Sequence, residues 1–148
     1  MSMGNIVICS PIEFATPDMD EALVLRNQIL RKPLNLEFKS EDISEEWDSY
    51  HLGAFLNSGI LAGILILKPK GESIKMRQVA IREDFQNKGI GLELVRYSEN
   101  FAGHLGYKRI ELHARLAAVP FYKKLNYQII GDIFKEVGID HYYMEKQL

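Results

Sequence analysis

The run Gln86-Asn87-Lys88-Gly89-Ile90-Gly91 has the residue types and the position to hold a phosphate. It lies between an apolar, partly β-branched stretch, Ile74 to Ile81, and a stretch in which Leu92, Leu94, Val95, Tyr97, Phe101 and Leu105 recur at helical spacing. A helix N-terminus presents amides without intrahelical acceptors, together with the positive end of the helix dipole. That combination is a ready site for a phosphate or pyrophosphate. Gly89 and Gly91 let the backbone approach a ligand closely, and Lys88 adds positive charge beside it. The run is not a P-loop, which needs G-x-x-x-x-G-K-[ST]. Nor is it a dinucleotide fingerprint, because the third glycine of G-x-G-x-x-G is missing. Taken alone, a G-x-G run before a helix also reads as a plain glycine turn.

Groups that could move a proton are spread more widely. Glu136 and His141 flank a tight Val137-Gly138-Ile139-Asp140 turn between the last two strands, and His113 lies one strand over. A carboxylate or an imidazole can take a proton directly or through water. Each of the three also suits a structural hydrogen bond. Arg26, Arg31 and Lys32 close the first helix, where cations are favoured by the dipole and where they could also meet an acidic acceptor. Cys9, the only cysteine, sits in the strand-like run Ile6-Val7-Ile8-Cys9 and reads as a small packed residue. One thiol forms no internal disulfide and no multi-cysteine zinc site, and it fits a reducing compartment. No spaced ligand set argues for a metal.

The elements that must position these residues can be read from periodicity and punctuation. Ile6 to Phe14 predicts a first strand. Thr16-Pro17 predicts a helix start, with threonine as the cap and proline in the first turn. Ala22, Leu23, Leu25, Ile29 and Leu30 carry that helix to Arg31, and Pro33 ends it. Ser40 to Tyr50 predicts a short acidic helix, with Ile43 and Trp47 four apart and Ser44-Glu45-Glu46 on its wet side. His51 to Leu56 and Ile60 to Leu67 predict a hairpin around Asn57-Ser58-Gly59. Lys68-Pro69-Lys70-Gly71 predicts the next turn, and Ile74 to Ile81 the strand before the glycine loop. The amphipathic helix then runs to a glycine cap at Gly106. Arg109 to Ala114 predicts a strand, Ala117 to Leu125 a short helix, and Tyr127 to Phe134 and His141 to Lys146 the last two strands. The order β-α-α-β-β-β-α-β-α-β-β predicts an α/β protein of the α+β type, with a central mixed β-sheet and helices on both faces.

A length of 148 residues suits a single domain spanning 1–148 and is enough to bury a sizeable core. A net charge of -2 leaves no basic footprint for nucleic acid. The N-terminus lacks a basic start followed by a long apolar stretch, so no signal peptide is expected. The longest apolar run, Ile60 to Leu67, is far too short to span a bilayer. These features predict a cytoplasmic protein with no membrane partner, and its exposed edge strands would allow a homodimer.

Gln86-Asn87-Lys88-Gly89-Ile90-Gly91 resembles the Q/R-x-x-G-x-G/A motif of the GNAT superfamily of N-acetyltransferases. Met76-Arg77-Gln78-Val79-Ala80-Ile81 resembles the family's central strand just upstream. Ala118-Val119-Pro120-Phe121-Tyr122-Lys123-Lys124-Leu125-Asn126-Tyr127 resembles its A-x-x-F-Y-x-K-x-G-F segment. The likeness covers nearly the whole chain and is most specific from Lys75 onward. Within the superfamily, Leu25-Arg26, Ile29 to Leu34, Glu111 to Arg115 and Phe134 to His141 resemble the ElaA-type bacterial subgroup. Three departures stand out. Arg115 occupies the place of an asparagine that helps hold the cofactor in many relatives. Asn126 occupies the place of a glycine, and asparagine is the next best residue for a left-handed backbone. Pro120 falls inside the short helix, where its first turn would tolerate it.

The resemblance implies a GNAT-like fold and transfer of an acetyl group from acetyl-CoA, as co-substrate, to a primary amine on a small molecule or peptide, by direct attack in a ternary complex. It implies that the amides of Gln86, Asn87, Lys88, Gly89, Ile90, Gly91 and Leu92 take the pyrophosphate. Val79, Ala80 and Ile81 would pair with the pantetheine arm like an added strand, with an amide near Val79 facing the thioester. Tyr122 would protonate the departing thiolate, and Phe121 would pack in the core. Glu136 and His141, with His113 beside them, are the candidate bases. A noncatalytic acyl-CoA-binding module that keeps the loop is the alternative, and a nucleotide-binding protein is a weaker third reading.

Overall fold

The computed structural model describes residues 7–34 and 46–148. Its strands are β1 (Val7–Ile12), β2 (Tyr50–Leu56), β3 (Leu61–Lys70), β4 (Ser73–Ile81), β5 (Arg109–Arg115), β6 (Gln128–Ile129), β7 (Phe134–Glu136) and β8 (Ile139–Gln147). They form an eight-stranded sheet in the order β1-β2-β3-β4-β5-β8-β6, with β7 also paired to β8. All pairs are antiparallel except β4 with β5. That one parallel pair requires a crossover, which is supplied by the helix α2 (Ile90–His104). The expected mixed sheet with helices on both faces is the observed architecture.

The apolar spacing of α2 explains its placement. Ile90, Leu94, Val95, Ser98 and Ala102 form one buried stripe. The stripe packs on Leu52, Leu65, Leu67, Ile74, Met76, Ile110 and Leu112 of the sheet. Ser98, buried among them, donates its hydroxyl to the Val95 carbonyl at 2.6 Å. Gly106 (φ 93) ends the helix, with its amide on Gly103 and that of Tyr107 on Ala102. These are the paired bonds of a Schellman cap. On the opposite face α1 (Pro17–Arg26) buries Met19, Ala22 and Leu25 against Ile12, Leu61, Ile64 and Ala80. Thr16 caps α1 as expected, accepting from the Met19 amide at 3.3 Å. The helix does not stay regular to Arg31. It widens into a π turn over Asn27–Arg31 and then tightens into a 3₁₀ turn over Lys32–Leu34, where Pro33 prevents further α-helix.

Several expected boundaries move. The expected helix over Ser40 to Tyr50 lies mostly outside the described residues. Of its described end, Glu46 to Asp48 form a turn closed by the Ser49 amide on the Glu46 carbonyl at 3.1 Å, and Tyr50 opens β2. Glu46 is not on a wet face. It is buried, as is Arg26, and the two make a bidentate ion pair at 2.8 and 2.7 Å. Arg26 is therefore a core anchor and not a solvated or acceptor-facing charge. The turn expected at Lys68 to Gly71 shifts to Gly71-Glu72, and β3 runs on through Pro69. Proline is tolerated there because β2 pairing ends at Leu67, so the missing amide costs no ladder bond on that side. The strand expected over Tyr127 to Phe134 is interrupted. Gly131 (φ 84) turns the chain, which leaves two-residue β6 and separates it from β7.

The Arg26–Glu46 pair ties the end of α1 to the segment that enters β2. Removing one partner strands a buried charge, which costs about 3–5 kcal/mol. Arg26→Met is expected to lower the unfolding free energy by that order in denaturant titration. The double variant Arg26→Met/Glu46→Leu should recover most of the loss.

Candidate active site

The sheet opens where β4 and β5 part company. Their register is paired from Ser73↔Arg109 to Met76↔Leu112 and then stops, although β4 continues to Ile81 and β5 to Arg115. On its other side β4 carries a bulge. Ile64 opposes Ala80 and Ile66 opposes Arg77, so two steps on β3 match three on β4. The extra residue lies at Gln78, whose φ of 54 places a non-glycine residue in the left-handed region. A bulge adds twist and bends its strand, which re-aims the end of β4 away from β5.

The gap between the strands is a cleft of about 420 Å³. β4 contributes Lys75 to Val79, β5 contributes Leu112 to Arg115, and the widened turn after α1 contributes Leu30, Arg31 and Leu34. Tyr122, Glu136 and His141 all line it, as does His113. Three candidates far apart in the chain thus meet in one cavity.

Tyr122 belongs to the short helix α3 (Val119–Lys124), with Pro120 in its first turn as expected. Asn126 adopts φ 72 just after it, so asparagine does replace glycine in a left-handed turn. The Tyr122 ring is buried and packs edge-on to Phe121 and Tyr127 at 5.1 and 5.5 Å. Phe121, expected in the core, is instead partly exposed. Buried phenols usually find a hydrogen-bond partner. Tyr127 donates to Glu99 at 2.9 Å and Tyr143 to Glu111 at 2.7 Å. The Tyr122 hydroxyl has no such partner among the described residues. Burial pushes its phenol up to about 12, so it stays protonated across neutral pH.

Glu136 ends β7, and Val137 (φ 49) and Gly138 (φ 75) form the two-residue turn to β8. Two successive positive φ values define a type I′ hairpin. A β-branched valine is strained there, and it lines the cleft beside Glu136. Burial works against a charge on Glu136. The hydrogen bond from His113 and the surrounding His113, His141 and Lys75 outweigh burial and hold the carboxyl below the usual carboxylate range. An ionised carboxylate only accepts, so His113 Nδ1–H donates to Glu136 Oε1 at 3.1 Å. His141 is buried and donates Nδ1–H to the Ile139 carbonyl at 2.7 Å, which turns its Nε2 toward Glu136 Oε2 at 3.7 Å. Phe134 packs against both imidazoles, with centroid distances of 5.0 and 5.8 Å.

The glycine loop lies beyond the far end of β4. Asn87 (φ 61) and Gly89 (φ 83) turn it, and Gly89 is the residue before Ile90, where α2 starts. Among the described residues no side chain caps this helix, and the first intrahelical bond at this end is Glu93 N–H to the Gly89 carbonyl at 3.1 Å. The amides of the first turn, Ile90, Gly91 and Leu92, are left for a ligand. Gln86 does not reach outward. Its side-chain amide donates to the Ile81 carbonyl at 3.0 Å and fastens the loop to β4. The Lys88 ammonium lies 5.7 Å from the centre of the Phe85 ring. A side chain at Gly91 would extend toward Ile81 and Phe121, each 3.7 Å from where its Cβ would sit. Val79, Ala80 and Ile81 form the length of β4 left unpaired on its β5 side, which joins this loop to the cleft.

Sequence reasoning did not single out Lys75, Arg77 and Gln78 as lining the cleft. The alternation of Lys75 and Arg77 with apolar Ile74 and Met76 was a signal for one polar strand face. The bulge had no signal, since Gln78 carries none of the residue types that mark one.

A family model described as an acetyltransferase (GNAT) domain matches residues 20–148. The uncharacterized protein YyaT of Bacillus subtilis (strain 168) is 27% identical over 135 residues, covering 88% of this chain and 90% of that protein. Escherichia coli ElaA superposes with a TM-score of 0.80 at 16% identity, over 95% of this chain and 99% of that one. A GNAT family acetyltransferase from Elizabethkingia anophelis, solved with acetyl-CoA bound, superposes with a TM-score of 0.74 at 20% identity, over 96% of this chain and 98% of that one. At these identities the two structural likenesses concern the fold, and membership rests on the family model, which matches most of the chain. The chain belongs to the GNAT family of acetyltransferases.

Proposed function

We propose that residues 1–148 form one N-acetyltransferase domain that uses acetyl-CoA to acetylate a primary amine by direct attack within a ternary complex. The observation that carries this reading is the strand gap itself. One cleft gathers a neutral phenol without a hydrogen-bond partner among the described residues, an ionised carboxylate and an imidazole, along a strand that leads to the first-turn amides of α2.

Acetyl-CoA supplies an acetyl thioester, so transfer forms a C–N bond and breaks a C–S bond. The first-turn amides of α2 and the loop from Gln86 to Gly91 are the groups suited to its pyrophosphate. The β5-facing edge of Val79, Ala80 and Ile81, beyond the end of β4–β5 pairing, offers strand-type hydrogen bonds to its pantetheine amides. The Val79 amide, re-aimed by the bulge, serves as donor to the carbonyl oxygen as charge develops there. A donor so placed contributes about 3–4 kcal/mol, judged by the cost of losing one. A lysine-like amine has a pKa of about 10.4 and arrives protonated. Glu136 and His141 take that proton, directly or through a water, and His113 orients Glu136. Tyr122 gives its proton to the departing sulfur. Its unpartnered hydroxyl favours an enzyme over a module that only binds.

Tyr122→Phe removes a hydroxyl that bonds to no other described residue, so folding and CoA affinity should be nearly unchanged. The turnover number should fall by about 10²–10⁴, measured by thiol release from acetyl-CoA with a good acceptor. Full activity in this variant would take Tyr122 out of the mechanism.

Gly91→Val should weaken CoA binding at least tenfold in calorimetry, about 1.4 kcal/mol. The new side chain would extend toward Ile81 and Phe121 and fill space beside the first-turn amides. Undiminished affinity in a folded Gly91→Val protein would move the phosphate site elsewhere.

Lys88→Ala should weaken CoA less than Gly91→Val does, and more at low salt than at high salt, because an exposed charge is screened. A loss independent of salt would assign Lys88 a different role.

A further inference from the structure

The cleft carries more positive charge than acetyl transfer to a simple amine requires. Lys75 and Arg77 stand two residues apart on β4, so both side chains leave the same face of the sheet. Both are half-buried and both line the cleft. Neither has a carboxylate within ion-pair distance among the described residues. Arg115, at the end of β5, adds a third such cation. Glu136 is the one carboxylate that lines the cleft among the described residues, and His113 already occupies it. Glu111 is the register partner of Lys75, but it is held by Lys70 at 2.9 Å and Tyr143 at 2.7 Å. Burial and the neighbouring Arg77 guanidinium hold Lys75 below the usual lysine range. Like charges brought together with partial loss of water are unfavourable, and an anion seated between them removes the penalty.

The phosphates of the co-substrate are not that anion. Arg77 precedes Ile81 by four residues and Lys75 by six, about 13 and 20 Å along an extended strand. The phosphate loop begins only beyond Ile81, at Gln86. The anion therefore comes with the other substrate. The Gln78 side-chain oxygen is also buried in this region without a hydrogen-bond partner among the described residues, an acceptor that a substrate amine would satisfy.

We propose that the acceptor is an aminocarboxylate, held by its carboxylate between Lys75 and Arg77 with its amine directed to Glu136 and His141. The proposal rests on the acetyl-transfer reading and names its substrate class. Arginine matches a carboxylate with two parallel N–H donors, and lysine adds a point charge. Polyamines and amino sugars would instead bring cations toward cations.

The test uses isosteric pairs in which the amide member has lost its only carboxylate: glycine with glycinamide, β-alanine with its amide, and glycylglycine with its C-terminal amide. Spermidine serves as the polycation. Thiol release from acetyl-CoA gives kcat/KM for each compound. At least one carboxylate member should exceed its carboxamide partner tenfold or more, chiefly through KM. Arg77→Gln and Lys75→Gln should collapse that ratio toward one, and Arg77→Lys should restore part of it. Parity in every pair, a preference for spermidine, or a ratio that survives both glutamine variants in folded protein would overturn the proposal while leaving acetyl transfer intact. If no compound turns over, calorimetry with the protein saturated in CoA decides. Tighter binding of a carboxylate member, lost in Arg77→Gln, would uphold the anion site and reject catalysis. Equal or absent binding within every pair would reject the anion site.

Discussion

The parting of β4 from β5 is the constraint on which the site depends. Two parallel strands that stay paired bury their hydrogen bonds in each other and leave no room for a ligand. Here four paired residues on each strand hold the pair together, and the bulge at Gln78 then turns the remainder of β4 away. The freed backbone needs partners, and a ligand with amides of its own can supply them. The same divergence opens the cavity that receives Tyr122 from one side of the sheet and Glu136 and His141 from the far edge. It also places the cavity beside the middle of β4 and the glycine loop beyond the C-terminal end of the same strand. The left-handed conformation of Gln78 is a local cost, of the kind that persists where the surrounding structure over-determines it.

Electrostatics divide the labour inside the cleft. Tyr122 is surrounded by apolar and aromatic groups, and burial alone keeps its proton in place. Glu136 meets the opposite environment. Two histidines and a lysine favour its charge more than burial opposes it. A proton donor and a proton acceptor therefore stand in one cavity without neutralising each other, because each faces different neighbours. The hairpin that carries Glu136 is tightened by strained Val137, which limits how far the carboxylate can move.

The roof of the cleft depends on a contact outside it. Leu30, Arg31 and Leu34 reach the cavity because the helix widens after Arg26, and Arg26 is itself clamped in the core by Glu46. A buried, bidentate ion pair is a directional anchor. It adds little net stability over a well-packed apolar pair, but it specifies one placement of the helix end.

Much of this was already present in the order of residues. Strand and helix periods, the Thr16 and Gly106 caps and the glycine loop are local features, set by steric preference and by the spacing of apolar side chains within a few residues. The motif likeness around Gln86 to Gly91 and Ala118 to Tyr127 carried the family, the fold and the candidate Tyr122, while Glu136 and His141 were marked by their place on either side of the turn between the last strands. What the sequence left open were quantities that depend on neighbours distant in the chain. Arg26 reads as a helix-end cation until Glu46, twenty residues later, buries it. Pro69 reads as a turn until the end of β2 shows that its missing amide faces no strand. Lys75 and Arg77 read as ordinary strand charges until the gap beside β5 leaves them facing a cavity in which Glu136 is the one carboxylate among the described residues. Burial, pairing and local potential are sums over contacts made only in three dimensions, and so only the tertiary structure decided them.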